Sequence, residues 1–591
     1  MEKPMHQFHE LRHSLAHVLA AAVLRIFPEA KLGIGPVIES GFYYDFDLPR
    51  PLIPQDLLKI EKEMRKLISQ SLGFERQELS VADAKKLFAG QPFKLELIQD
   101  LATKGTTVFD ELENAPAGKP AATITAYTTG KFVDLCRGGH LESTKQIKAD
   151  AFKLTRTAGA YWRGDEKNPM LQRIYGVAFP TKAELDAYLT LQEEMKKRDH
   201  RKLGNDLELF DFHDVSPGAA FWLPQGMIIY RLLEDLIRSE LQRDAYVEIK
   251  TPQIIHQKLW QESGHWDHYQ DNMFLMDVEK QTYSLKPMNC PGSTFVYRRH
   301  KRSYRELPVR LAEFGLNSRN ELSGALGGLF RVRQFTMDDA HIYARPDQIQ
   351  AEVKQCLAMM KRVYKYFGFQ PKFYLSTMPD QHLGTEATWR AAEKELASAL
   401  KSQKIPFELK EKDGAFYGPK VDININDALG RSWQLTTIQL DYNVPERFNL
   451  SYTDEHGNDV RPVIIHRAIL GSMERFVGIL IEHFAGAFPV WLAPVQVAIL
   501  TVGKAHIRYA KKLHQLFIAA GIRSKLIDAN ETVGYKIRNA EKQKVPYMLV
   551  IGDKEMNSSK LAVRLRGKKT LLAISQTAFI KRVQQEIEKR K

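Results

Sequence analysis

Between about Asp199 and Pro489 the chain runs through long segments with strand character, ELPVRLAEFG, GLFRVRQFTMDDAHIYA and GRSWQLTTIQLDYNV, punctuated by turn residues and seldom by helical intervals. Strands of that length without βαβ spacing predict a mostly antiparallel sheet flanked by helices. No Gly-rich phosphate fingerprint follows a strand there, which disfavours a Rossmann sheet. The flanking regions are patterned differently. Upstream, the short alternating strands of TITAYTTGKFVDLC and the helical spacing of HSLAHVLAAAVLRIF predict an α+β region. The charged segment AELDAYLTLQEEMKKRDHRKLG reads as a linker helix into the middle region.

Downstream, strand PVQVAILTV, helix HIRYAKKLHQLFIAAG, strand IRSKLI, helix TVGYKIRNAEKQK and strand PYMLVIG precede one more strand and a last helix, an α/β pattern. At 591 residues the chain exceeds one ordinary domain. These seams divide an α+β multidomain chain at 1–190, 191–490 and 491–591. No internal repeat or low-complexity tract is visible.

Charge is unevenly placed. From Leu492 to Lys591 there are 21 Lys and Arg against 7 Asp and Glu, an excess equal to the whole formal charge of +14. A basic excess confined to one terminal domain suits a polyanion, because phosphate contacts draw on Lys and Arg through counterion release. Cys136, Cys290 and Cys356 are too few and scattered for a disulfide framework, which points to a reducing compartment. The apolar stretch from Phe484 to Leu500 contains Pro489, Pro494 and Gln496 and reads as core strands and a turn, not a membrane span. The opening MEKPMHQFHELRHSLAH lacks the apolar centre and cleavage site of a secretory leader, so the cytoplasm is expected.

Cys290, His341 and His466 lie in KPMNCPG, TMDDAHIY and IIHRAILGSMERF. One thiolate and two imidazoles suit zinc and leave a fourth position for substrate. Spacing alone does not establish such a site in a chain with 18 histidines. His13 and His17 lie four apart on one helical face, and Cys136 and His140 in VDLCRGGH share that spacing, with Gly138 and Gly139 favouring a loop. By residue type alone this second constellation also reads as a zinc site.

These strings resemble those of the threonyl-tRNA synthetases, a class II aminoacyl-tRNA synthetase family. The resemblance covers almost the whole chain and is to the bacterial type, here without the leading ubiquitin-like domain. It implies an editing domain, a class II catalytic domain built on an antiparallel sheet, and an α/β anticodon-binding domain. It also implies one Zn²⁺ per subunit held by Cys290, His341 and His466. Zinc can take both the amino group and the hydroxyl of threonine, so valine is rejected while serine still binds.

Pro252 in VEIKTPQI resembles the proline of the dimer-forming motif and implies a homodimer. SRNE followed by RVRQF resembles motif two. Arg319 would then hold the α-phosphate of ATP, Glu321 the adenine side, Arg331 the triphosphate tail, and Phe335 would stack on the base. GSMERF resembles motif three and implies that Arg475 lies over the adenine or the γ-phosphate. Asp339 would meet the threonine hydroxyl, with Met337, Tyr417, Gln434 and Gln439 lining the amino-acid and ATP site, and Lys420 would join Arg319, Arg475 and His265 as a catalytic residue. His265 in SGHWDHY would assist deprotonation at the tRNA terminal ribose, and Mg²⁺ would accompany ATP.

For the first domain the resemblance implies hydrolysis of seryl-tRNA by His13, His17, Lys94, Asp134, Cys136 and His140, with AGAYWRGDEKNPMLQRIYG as further signature. In the tail, Asn530, Arg538, Glu555 and Arg564 match anticodon-contacting positions. The implied activity is attachment of L-threonine to tRNA(Thr) through a threonyl-adenylate, with editing and without a membrane partner. Four departures stand out: the missing leading domain, Met337 for glutamine with Gln334 for glycine, Ser293 for histidine, and Gly139 for proline. Two rival readings are a non-catalytic synthetase-like RNA-binding regulator, which predicts broken motif arginines or zinc ligands, and a zinc hydrolase centred on His13, which predicts activity without ATP.

Overall fold

A computed structural model describes residues 8–106 and 121–591. The chain forms two compact units, Met1–Glu193 and Glu194–Lys591. Residues 1–7 of the sequence read for a leader lie outside the described part. Among the described residues no helix is long and apolar enough to cross a membrane.

In the first unit the helix His9–Ile26 is buried along most of its length. Its run of alanines lets it lie close to the antiparallel sheet of Gly41–Asp47, Met170–Ala178 and Phe152–Tyr161. Leu15, Leu19 and Val23, with Phe42, Tyr44 and Phe46 from the sheet, make the shared core. A second sheet joins Glu75–Ser80 to the hairpin Thr123–Thr129 and Phe132–Leu135. Its turn needs Gly130, which has φ +62.

The linker segment differs from the single helix expected. It forms Lys182–Arg198 and His200–Asp206, divided at Asp199. The Asp199 carboxylate accepts the Arg201 N–H at 2.8 Å, so it starts a new helix instead of continuing the old one.

The second unit is built on an eight-stranded sheet in the order Val247–Glu248, Val309–Ser318, Gln334–Ala344, Val463–Ser472, Ser432–Asp441, Lys420–Asn426, Pro371–Ser376, Phe407–Lys410. The five inner pairings are antiparallel and the two outermost parallel. Helix Ile349–Phe367 illustrates how its face is covered. Ile349, Val353, Cys356, Met360, Val363 and Phe367 recur at three- and four-residue steps and are all buried. Glu352 on the same helix tolerates burial because Arg310 meets it at 2.7 Å through two nitrogens. Gly368, at φ +72, ends the helix.

Towards the C-terminus a five-stranded sheet runs in the order Ser524–Ile527, Val497–Thr501, Tyr547–Ile551, Lys560–Leu565, Leu571–Ser575. Two expectations are corrected here. The one strand expected after PYMLVIG is a short helix, Asp553–Met556, and a hairpin of two strands, because Gly567 at φ +72 turns the chain back. The stretch from Phe484 to Leu500 contributes only the strand beginning at Val497. Proline lacks the N–H a ladder needs, and Pro489 and Pro494 keep the rest irregular.

Candidate active site

Three neighbouring inner strands of the large sheet project their side chains into one hollow. On Gln334–Ala344, alternate residues point to one face. Met337, Asp339 and His341 line a cavity of about 580 Å³, whereas Phe335 and Met337 line an adjoining pocket of about 350 Å³. Register does the rest. His341 pairs with His466, which pairs with Gln439; Asp339 pairs with Ala468, which pairs with Thr437. Cys290, the first residue of helix Cys290–Tyr297, closes the cavity from outside the sheet.

One ligand atom each from Cys290, His341 and His466 fall within 4.8 Å of one another. Burial, reinforced by His466 and Arg467, pushes the His341 pKa well below its usual value, leaving a neutral imidazole. Burial beside Asp441 and Asp339 pushes the Cys290 thiol up, so in the metal-free protein it keeps its proton. Soft thiol and imidazole donors on three rigid elements fit zinc. His466 Nε2 lies 3.1 Å from the buried carboxylate of Asp441, whose other oxygen accepts the N–H groups of Asn443 and Val444. A carboxylate behind a histidine fixes ring orientation. Asp441 was missed in the sequence, although it ends WQLTTIQLD.

Asn289 was missed too. Its amide donates to Asp339 at 2.6 Å, while its own buried oxygen has no partner among the described residues and remains able to accept a ligand donor. Gly315 makes room for it, since a Cβ there would come within 2.0 Å of the Asn289 amide. Burial raises the Asp339 pKa despite that hydrogen bond. His265 is buried at the cavity wall, with Nδ1 2.9 Å from the Ser263 hydroxyl and Nε2 without a hydrogen-bond partner among the described residues. Burial lowers its pKa to about 3, so the ring is a neutral base near pH 7. Lys420 and Gln439 also line the cavity. Lys420 is paired with Asp422 at 2.8 Å and Gln439 donates to the Gly418 carbonyl at 3.1 Å. Tyr417 stands in the same wall, its pKa raised by burial.

The adjoining pocket holds Arg319, Glu321, Arg331, Phe335, Gln434 and Arg475. Arg319 lies over the Phe335 ring at 4.8 Å and lines both hollows, as do Met337 and Thr437. Arg331 pairs with Glu321 at 2.8 Å; Gln434 donates to Asp422 at 2.6 Å. Burial and the charges of Arg319 and Arg331 lower the Arg475 pKa. Three guanidinium groups with one carboxylate among them make a site for a polyanion.

In the first unit a second cluster forms. His13 Nε2 is 3.4 Å and His140 Nε2 3.2 Å from Cys136 Sγ. Behind it, Asp134 accepts Lys94 Nζ at 2.6 Å and the Tyr44 hydroxyl at 2.5 Å, with His17 Nε2 3.9 Å away. Tyr44 was missed because its alternation in GFYYDFD marks only a core strand. Burial lowers His13 to about 4 and His140 to about 2, drives His17 well down, and raises Cys136 to about 12. The result is three neutral rings and a thiol. Gly138, at φ +117, bends the loop under Tyr127, and Gly139 sits at φ +85, which proline, held near −65°, does not reach.

These depressed histidines make an expected pH profile. As pH falls below 6.5 the unfolded chain binds protons that the folded cluster refuses, so stability is full above about pH 6.5. It declines through pH 4 for His13 and further for His140. Melting temperature followed from pH 7.5 to 4 should drop less steeply in His13→Asn than in wild type; parallel curves would contradict this.

The tail residues are less tightly grouped. Arg538 is exposed on helix Val533–Lys542, and Asn530 is exposed just before it. Arg564 reaches Glu541 of that helix at 4.0 Å. Glu555 is half-buried and accepts the Gly552 N–H at 3.0 Å, with no contact joining it to the other three. Pro252 is exposed between the edge strand Val247–Glu248 of the large sheet and the strand Ile254–His256 of a separate three-stranded sheet, where Val247 and Ile254 also expose more than half their surface.

An antiparallel sheet with three arginines from its flanking loops and helix gathered at one pocket is the arrangement of a class II aminoacyl-tRNA synthetase core, and comparisons with known proteins agree. The family described as tRNA synthetase class II core domain (G, H, P, S and T) matches residues 274–484. The families described as anticodon binding domain and as threonyl and alanyl tRNA synthetase second additional domain match 496–586 and 124–175. The threonine–tRNA ligase of Clostridium tetani is 49% identical, covering 98% of this chain and 88% of its own. That of Carboxydothermus hydrogenoformans is 50% identical over 94% and 85%. A crystal structure titled as the RNA binding domain of threonyl-tRNA synthetase from Cryptosporidium parvum matches with TM-score 0.64 and 44% identity, over 66% of this chain and 98% of that one. The chain belongs to the threonyl-tRNA synthetase family. Prolyl-tRNA synthetase from Cryptosporidium parvum matches with 16% identity and TM-score 0.53 over 66% of this chain and 75% of that one, and over that span shares the fold.

Proposed function

We propose that the protein joins L-threonine to tRNA(Thr) with ATP and clears mischarged seryl-tRNA(Thr), as a cytoplasmic homodimer. The observation that carries this reading is the adjacency of the Cys290, His341 and His466 cavity to the arginine-lined pocket through Arg319, Met337 and Thr437. Zinc held by the three ligands would fix the amino group and hydroxyl of threonine, and Mg²⁺ on the nucleotide would share phosphate neutralisation. Asp339, held by Asn289, accepts the substrate hydroxyl. Arg319 neutralises the α-phosphate as the threonine carboxylate attacks it and pyrophosphate leaves, with Arg331 on the triphosphate tail, Arg475 over the adenine or γ-phosphate, Glu321 on the adenine side and Phe335 at the base. A carboxylate is already a nucleophile, so this step needs positioning and charge neutralisation rather than a protein base.

His265, neutral and with Nε2 unpartnered among the described residues, is suited to take the proton of the attacking tRNA ribose hydroxyl. Tyr417, Lys420, Gln434 and Gln439 shape the walls, and Met337 fills an apolar position between the two hollows. In the first unit His13, His17, Cys136 and His140 line the hydrolytic pocket, with the Lys94–Asp134 pair as its floor. Asn530, Arg538, Glu555 and Arg564 offer the mixture of amide, carboxylate and guanidinium that reads unpaired bases. The exposed edge by Pro252, with Val247 and Ile254, is the proposed dimer surface.

ATP–pyrophosphate exchange tests the reading. Threonine should support it; serine should do so about 10–200-fold less well, the worth of one methyl. Valine should not. Zinc-loaded protein that exchanges with none of the three would replace this reading with the non-catalytic regulator.

A further inference from the structure

His200 lies outside both hollows, yet it holds the turn that delivers two residues to the nucleotide pocket. Its ring is 3% exposed, in the helix His200–Asp206. Nε2 lies 3.0 Å from the backbone N–H of Leu329 and can only accept from it. Nδ1 lies 2.7 Å from Glu482, which also accepts the His200 backbone N–H at 3.0 Å. With Nε2 accepting, the ring proton sits on Nδ1 and is donated to that carboxylate, so both nitrogens are committed. Asp199, His200 and Glu482 group as metal-type donors, but no lone pair on the imidazole remains for an ion.

Leu329 belongs to the tight turn Gly328–Phe330, between SRNE and RVRQF. The turn is fitted onto the imidazole. Gly328 has φ +56, and a Cβ there would come 2.2 Å from His200 Nε2. Phe330 packs against the His200 ring at 4.1 Å and against Trp433 at 4.4 Å, and its carbonyl accepts Arg475 Nε at 3.2 Å. Arg331 follows directly. On the far side Glu482 also pairs with Arg431, Arg431 with Asp427, and Asp427 accepts the Trp433 indole N–H at 2.9 Å. Trp433 precedes Gln434. Through hydrogen bonds, ion pairs, ring contacts and chain adjacency, His200 is therefore linked to Phe330, Arg331 and Arg475 on one wall of the pocket and to Gln434 on the other, while its own side chain does not line that pocket.

We propose that His200, through the lone pair on Nε2, is a positioning residue for ATP, fixing the Gly328–Phe330 turn so that Arg331 and Arg475 meet the nucleotide in register. The inference rests on the ATP site proposed above. The main effect falls on ATP, because the direct contacts of the turn lie at the arginine pocket and the cavity of Cys290 and Asp339 is reached at a further remove, through Gln434, Asp422 and Lys420.

Three variants test it in pyrophosphate exchange. His200→Asn keeps a donor for Glu482 but cannot reach Leu329; His200→Gln places an acceptor near the Nε2 position. Gly328→Ala leaves the His200–Glu482 pair intact and pushes the turn off the ring. The expected result is an ATP KM raised about tenfold or more in His200→Asn and in Gly328→Ala, near that of a lost charge-free hydrogen bond plus displaced arginines. The threonine KM should stay within about twofold, and His200→Gln should recover most of the ATP KM. Combining His200→Asn with Gly328→Ala should add little beyond either alone. An unchanged ATP KM in both single variants, equal shifts for ATP and threonine, or no difference between Asn and Gln would overturn the inference while leaving an active wild type, and with it the proposed function, intact. Absence of exchange in the wild type would instead overturn the ATP site itself.

Discussion

Cys290→Ser is expected to abolish threonine-dependent ATP–pyrophosphate exchange and to release bound zinc together. Serine is nearly isosteric and Cys290 lies at the first turn of helix Cys290–Tyr297, so the fold should persist. What changes is the donor: an alcohol neither ionises near neutral pH nor offers the soft sulfur that zinc prefers. Altering outer hydrogen-bond partners of metal ligands already costs roughly 10–100-fold, so removing a ligand should cost on the order of 10³-fold in kcat/KM. Asp441→Asn, which leaves the ligands in place but weakens the orientation of His466, should fall between the two. The measurement is metal content and exchange rate on the same samples, with melting temperature as control. A folded Cys290→Ser protein that keeps one zinc and wild-type exchange would remove the metal from the proposed mechanism.

The second large effect belongs to the first unit. His13→Ala and Cys136→Ala should each slow deacylation of seryl-tRNA(Thr) about 10²-fold or more, a typical loss for a group that positions or accepts a proton. Threonine charging should be unchanged, since neither residue belongs to the unit carrying the synthetic site. Lys94→Ala should behave differently. It strands Asp134, a carboxylate 2% exposed, leaving among the described residues Tyr44 and the Leu135 N–H as its close partners, with His17 3.9 Å away. Breaking a buried pair by removing one member costs about 3–5 kcal/mol, so this variant should lower the melting temperature as well as the deacylation rate. Deacylation that survives in both His13→Ala and Cys136→Ala would mean that the cluster is structural.

Met337 shows how position can be legible where consequence is not. Its place on the strand follows from alternation with Phe335, Asp339 and His341, and it does line both hollows. A thioether there offers no donor, so any amide contact supplied by glutamine in relatives must be supplied by another group or be lost. Ser293 is clearer. In the place of a histidine it bonds the Tyr343 hydroxyl at 2.7 Å and the Cys290 carbonyl at 2.8 Å, and so supports the helix start on which Cys290 sits.

The amino-acid sequence by itself determined the antiparallel character of the catalytic sheet, because strand length and turn spacing are local properties. It also determined which side chains on each strand share a face, because that follows from the twofold period of an extended chain. The basic excess of the tail is likewise a matter of composition. Tertiary structure alone decided register. That His341 pairs with His466 and not with a neighbour two residues away turns three scattered residues into one cluster, and a slip of one residue would face them away from Cys290. The fit of the Gly328 turn onto His200, and the placing of Asn289, Asp441 and Tyr44 beside the reactive groups, also belong to the folded chain. Each depends on contacts between segments tens to hundreds of residues apart, whose geometry no local pattern encodes.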